Sequence, residues 1–128
     1  MNIVKLICIL VGINLLCSFS FADAKKTGEL HCTISSENFE TVSNSVDIMQ
    51  NSDGTGGLAD LKVYGDVIIC HASAVAKFDL KSLIKLEIEV SSGEKIGNTN
   101  VDRDYGILNY SYTQGNQDLS ASCTCLVK

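Results

Sequence analysis

The side chains of this 128-residue chain best equipped for chemistry are six cysteines and two histidines. His31-Cys32, Cys70-His71 and Cys123-x-Cys125 look on paper like a set of soft metal ligands. Strand geometry opposes that reading. Adjacent residues on an extended strand point to opposite faces, so neither histidine can join its neighbouring cysteine without a bulge. Cys32, Cys70, Cys123 and Cys125 all fall on apolar, inward positions, and an even number of thiols in a short exported chain points to structural disulfides. No metal and no cofactor is expected. Residues two apart on a strand lie about 6–7 Å from each other with parallel Cβ vectors. Cys123 and Cys125 should therefore bond separately to Cys32 and Cys70, not to each other.

Other chemistry is sparse. No Ser-His-Asp spacing, nucleophile elbow, phosphate loop or paired-carboxylate signature is present. A non-enzyme is expected, and a small enzyme using His31 or His71 ranks third among the functional readings. Two stretches look like calcium loops. Asn98, Asn100, Asp102 and Asp104 alternate without a closing Glu, and Asn51-x-Asp53-x-Thr55-Gly56 has Lys62 where the bidentate Glu belongs. Solvated turns explain both better. If the 107–125 region pairs as a hairpin, Asn109, Ser111 and Thr113 on one arm and Ser120, Ser122 and Thr124 on the other face outward. That gives a flat, uncharged, small-polar surface, with Asp102 and Asp104 expected in a polar loop (97–104) beside it. Asn109, Ser111, Thr113, Ser120, Ser122, Asp102 and Asp104 are the candidate binding residues. Tyr110 and Tyr112 are turned inward by the same register.

The elements that must position these groups read as strands. Period-two alternation recurs along the chain, while no helical period convinces. Leu30, Cys32 and Ile34 share one face, as do Val42, Val46 and Ile48. Across 78–90 the apolar Phe78, Leu80, Ile84, Leu86, Ile88 and Val90 alternate with charge, predicting one continuous half-buried strand. Leu119, Ala121, Cys123, Cys125 and Val127 close the series. Gly65-Asp66 and Gly115-Asn116 suit two-residue type II′ turns. The first would place Val63 opposite Ile68 and Leu61 opposite Cys70. The second would place Tyr112 opposite Leu119 and Leu108 opposite Cys123. Loops are expected at 51–57, 91–94 and 97–104. With no proline and no tryptophan, the fold class predicted is all-β: a small antiparallel β-sandwich, or a closed barrel, of about seven to eight strands.

Residues 1–24 set the compartment. Lys5 supplies a positive start, 6–16 an apolar stretch, and Ala22-Asp23-Ala24 a small-x-small cleavage site, the pattern of a secretory signal peptide. An uncleaved anchor and a lipid-modified Cys17 are the competing readings, and Leu16 before Cys17 speaks against the second. The expectation is a leader at 1–24 and a single disulfide-stabilised domain at 25–128, secreted or periplasmic, with no membrane span once the leader is removed. The formal net charge is −5, and the one arginine, Arg103, stands outside any basic run. That deficit of cations argues against nucleic acid and against an anionic membrane surface. The leading functional expectation is a non-catalytic binding module for a protein or glycan. A structural envelope component with no discrete site is the alternative.

Overall fold

The computed structural model describes residues 25–128, with backbone alone at 98–100; the leader expected at 1–24 lies outside the described residues. Eight strands follow in order: β1 (Lys26–Ser36), β2 (Phe39–Met49), β3 (Gly57–Tyr64), β4 (Ile68–Lys77), β5 (Leu80–Val90), β6 (Lys95–Arg103), β7 (Tyr105–Gln114) and β8 (Gln117–Val127). They form two antiparallel four-stranded sheets, β2-β1-β8-β7 and β3-β4-β5-β6. The second sheet is a simple meander. The first places the N-terminal and C-terminal strands side by side at its centre. Each sheet ends on free edges, so the layers are packed face to face rather than closed into a barrel.

The alternation of the sequence builds the core. Leu30, Cys32 and Ile34 from β1, Leu86 and Ile88 from β5, and Cys123, Cys125 and Val127 from β8 are all buried. Along β4 the inward residues after Cys70 are Ala72, Ala74 and Ala76. These small side chains let β1 come close: Thr27 Oγ1 donates to the carbonyls of Ile48 and Ala76. A Cβ on Gly28 would stand 3.0 Å from that of Ala76.

The β7–β8 hairpin has the expected register, with Tyr112 opposite Leu119 and Leu108 opposite Cys123. Gly115 takes φ 63 while Asn116 stays in the ordinary region, which is what a type II′ turn requires. The β3–β4 hairpin differs. Val63 pairs with Cys70 and Leu61 with Ala72, two residues from the expected register, so the inward faces survive and the reversal falls on Asp66-Val67. Gly65 remains in the ladder, donating to the Ile68 carbonyl at 2.9 Å. A Cβ there would sit 3.1 Å from Ile34 Cδ1. Its glycine serves a close approach between the sheets, not a turn.

Two further expectations are corrected. The 78–90 segment is not one uninterrupted strand. Phe78 and Asp79 form the β4–β5 connection, and a bulge between Leu83 and Lys85 switches parity, so Leu83 is buried and Ile84 is 42% exposed. The supposed loop at 97–104 is mostly strand β6, paired to β5. As an edge strand with one neighbour it tolerates polar residues that a central strand would not.

Candidate functional site

Four sulfurs meet at the centre of the sandwich. Cys32 and Cys125 are register partners on β1 and β8 and form a disulfide within their sheet, Cα atoms 4.1 Å apart. Cys70 on β4 and Cys123 on β8 are bonded across the two sheets, Cα atoms 5.8 Å apart. The pairs touch, with Cys70 Sγ 3.6 Å and Cys123 Sγ 3.9 Å from Cys125 Sγ. Cys32, Cys70 and Cys125 have the convergence of a soft ligand set, yet oxidised sulfur has no thiolate to offer a metal. Neither histidine joins the cluster. His31 lies on the outer face of the first sheet and His71 on the outer face of the second, on opposite sides of the molecule.

The outer face of the first sheet is a lattice of small polar groups. One row runs Ser43, Thr33, Thr124 and ends on the exposed Ile107; the next runs Ser35, Ser122, Asn109; a third pairs Ser120 with Ser111. Ser122 Oγ donates to Asn109 Oδ1 at 2.6 Å, Thr33 Oγ1 and Ser43 Oγ share a hydrogen bond at 2.9 Å, and Thr113 Oγ1 donates to Asp118 Oδ1 at 3.3 Å. Charge stands at the margins of these rows, with Asp118 opposite Thr113 at one end and Glu29 opposite Asp47 at the other. A shallow depression of about 260 Å³ opens between Ser35, Ser36, Glu37, Ser120 and Ser122. The contribution of β1 and β2 was missed in the sequence. Thr33, Ser35 and Ser43 alternate with residues recognised as inward, but nothing local reveals that β1 pairs with β8.

Asp102 and Asp104 are not part of this face. Asp102 belongs to β6 in the other sheet and borders a cleft of about 440 Å³ lined by Val75, Leu80, Ser82, Leu83 and Ile84. Asp104 links β6 to β7, and its carbonyl accepts from Val127 N at 2.7 Å. The period-two spacing of these residues with Asn98 and Asn100 is that of the strand itself. At the other calcium-like stretch, Asp53 Oδ1 accepts from Thr55 N at 3.0 Å and from Thr55 Oγ1 at 2.5 Å. Those Thr55 hydrogen bonds hold its carboxyl below the usual range and make it a turn residue. Tyr110 and Tyr112 are half-buried and stacked, ring centroids 6.2 Å apart.

The outer face of the second sheet is charged: Asp60, Lys62, Lys85 and Glu87 surround His71 and Ser73. Asp60 Oδ1 accepts from Ser73 Oγ and lies 3.6 Å from His71 Nε2. In a hydrolytic triad the imidazole stands between hydroxyl and carboxylate. Here the carboxylate stands between the other two, and among the described residues no hydrogen bond joins Ser73 to His71. Desolvation, then Lys85 and Lys62, push the His71 pKa below the ordinary histidine value.

Fold and surface together define a small, disulfide-stabilised all-β domain of the kind that serves as a binding or structural module. Comparison with protein-family models, curated proteins and solved structures finds no match to this chain.

Proposed function

We propose that this protein is a secreted or periplasmic, non-catalytic binding module that holds a protein or glycan on the outer face of its β2-β1-β8-β7 sheet. The observation that supports the reading is the contrast between the two outer faces. The β3-β4-β5-β6 face carries opposite charges in alternation, the ordinary dress of a solvated sheet, whereas the rows through Thr33, Ser35, Ser122 and Asn109 offer hydroxyls and amides beside the exposed Ile107, with the charged Glu29–Asp47 pair further along the same face. Hydroxyls and amides give directional hydrogen bonds, and removing them from water costs far less than removing charges. The test compares capture by the immobilised protein with capture by its Asn109→Lys variant, using envelope extract and arrayed glycans. A species retained by the first and lost from the second supports the proposal. The same captured species on both, or none on either, refutes it and leaves a structural envelope role.

A further inference from the structure

Each sheet of the sandwich has two outer strands, and three of these four edges are guarded. β2 carries Glu40 and Asp47, β3 carries Asp60 and Lys62, and β6 carries Lys95, Asp102 and Arg103. Register shifts interrupt the pairing of β2 and of β6 as well. Charges and bulges are the ordinary defences of a sheet edge against a foreign strand. β7 has neither. From Tyr105 to Gln114 it contains no charged residue and no proline, and it pairs with β8 along its whole length without a shift. No strand among the described residues pairs with its other side.

The turn decides which backbone groups that side presents. In a two-residue hairpin the residues flanking the turn, here Gln114 and Gln117, form a hydrogen-bonded pair. Every second residue back from there, Tyr112, Tyr110, Leu108 and Gly106, spends its N–H and C=O on β8. Two distances agree with this parity. Cys32 and Cys125 have Cα atoms 4.1 Å apart, close to the spacing of a non-hydrogen-bonded pair, so Cys125 turns its backbone groups toward Gly106 rather than toward β1. Two residues on, Val127 N donates to the Asp104 carbonyl at 2.7 Å. The N–H and C=O groups of Tyr105, Ile107, Asn109, Ser111 and Thr113 therefore point to the open edge.

That set is symmetric about Asn109. If a second β7 approaches antiparallel across a two-fold axis at Asn109, Asn109 faces Asn109, Ile107 faces Ser111 and Tyr105 faces Thr113. Each facing pair exchanges two hydrogen bonds, and no group on either edge is left over. Moving the axis to Leu108 strands Thr113, and moving it to Tyr110 strands Tyr105. The side chains suit the same register. On the inward side Leu108 falls opposite Tyr110, and Gly106 opposite the large ring of Tyr112, so the half-buried margin of one core meets that of the other. On the outward side Ile107, 55% exposed, and Tyr105, 51% exposed, lie against Ser111 and Thr113 of the second copy. No like charges are brought face to face.

We propose that two copies of this chain pair through their β7 edges, antiparallel about Asn109, and join two four-stranded sheets into one of eight. The contact is isologous and uses up both edges, so assembly stops at the dimer. A strand of another protein would meet the same backbone groups. The symmetric placing of those groups and the Gly106–Tyr112 fit favour a second copy. The pairing leaves the hydroxyl rows of both copies open on one continuous face, and it does not rest on the ligand proposed above.

Sedimentation equilibrium of the purified protein between about 1 and 100 µM should show the mass rising from one copy to two. Ile107→Pro removes a donor on the open edge and leaves the β8 ladder intact. It should weaken association about tenfold or more. Ile107→Lys, which puts a charge on the edge, should do the same and covers the case in which proline disturbs the fold. The register is read with cysteines, using oxidised glutathione as oxidant. Ile107→Cys and Ser111→Cys proteins should cross-link when mixed, and neither should cross-link alone. The mass of one copy at every concentration overturns the proposal and leaves the edge to a strand of another protein. Dimers as tight in the Ile107 variants as in the natural protein overturn it and move the interface elsewhere. Cross-linking by either cysteine variant alone, or none in the mixture, overturns the pairing about Asn109.

Discussion

Cys70 Sγ lies 3.6 Å from Cys125 Sγ, although each is bonded to another sulfur. The disulfide within one sheet and the disulfide between the sheets are thus in contact, and β8 carries one half of each. In the chain-entropy model, loops of 93 and 53 residues are each worth about 4–5 kcal/mol if closed independently. Because both bonds fasten the same strand, their contributions overlap.

That contact predicts a specific exchange. In a Cys32→Ser variant, the freed Cys125 thiolate sits against the Cys70–Cys123 bond. Attack on Cys70 forms Cys70–Cys125 and releases Cys123 as thiolate. Non-reducing peptide mapping after mildly alkaline incubation should show both linkages. Persistence of Cys70–Cys123 alone would contradict the proximity argument.

How much of this was legible follows from what each residue is used for. Gly115 supplies the positive φ of its turn, so the β7–β8 register could be read from sequence. Gly65 clears space for Ile34, a role that local pattern cannot distinguish from a turn, and the β3–β4 register slipped by two. The polarity of β6 signalled solvent, which an edge strand and a loop share. The outward residues of β7 and β8 were legible from parity. Their extension through Thr33, Ser35 and Ser43 was not, because the pairing of β1 with β8 joins opposite ends of the chain and is fixed by the shared core.

The bulge in β5 makes a stability prediction opposite to simple alternation. Leu83 is fully buried and Ile84 is 42% exposed. Leu83→Ala should cost about 2–4 kcal/mol through a cavity at the core's edge, and Ile84→Ala less than about 1 kcal/mol. Urea titration of both variants decides the matter. A larger loss at Ile84 would restore the unbulged strand.

His71 should make stability fall on mild acidification. Its pKa is lowered in the folded protein by desolvation, Lys85 and Lys62, with Asp60 and Glu87 opposing. The unfolded chain therefore takes up the proton more readily. Stability from this group is complete at pH above the ordinary histidine pKa and is lost as pH falls from there toward the lowered value. Replacing His71 with Asn should reduce the drop in thermal midpoint between about pH 7.5 and about 5. An unchanged or larger drop in the variant would assign the acid sensitivity elsewhere.

The polar face makes the last prediction. Asn109 is exposed on β7, and Ser122, its register partner on β8, donates to it at 2.6 Å. Neither residue contributes to the core, and Glu37 borders the same depression as Ser122. Asn109→Lys or Ser122→Arg puts a long, strongly hydrated side chain where a ligand would have to displace its water. Binding by the captured partner should weaken about tenfold or more while the thermal midpoint moves by no more than a few degrees. Lys62→Ala, on the opposite outer face, should leave binding unchanged. Calorimetric titration of the three variants separates the two faces. Full affinity in both Asn109→Lys and Ser122→Arg, or loss confined to Lys62→Ala, would move the site away from the hydroxyl rows.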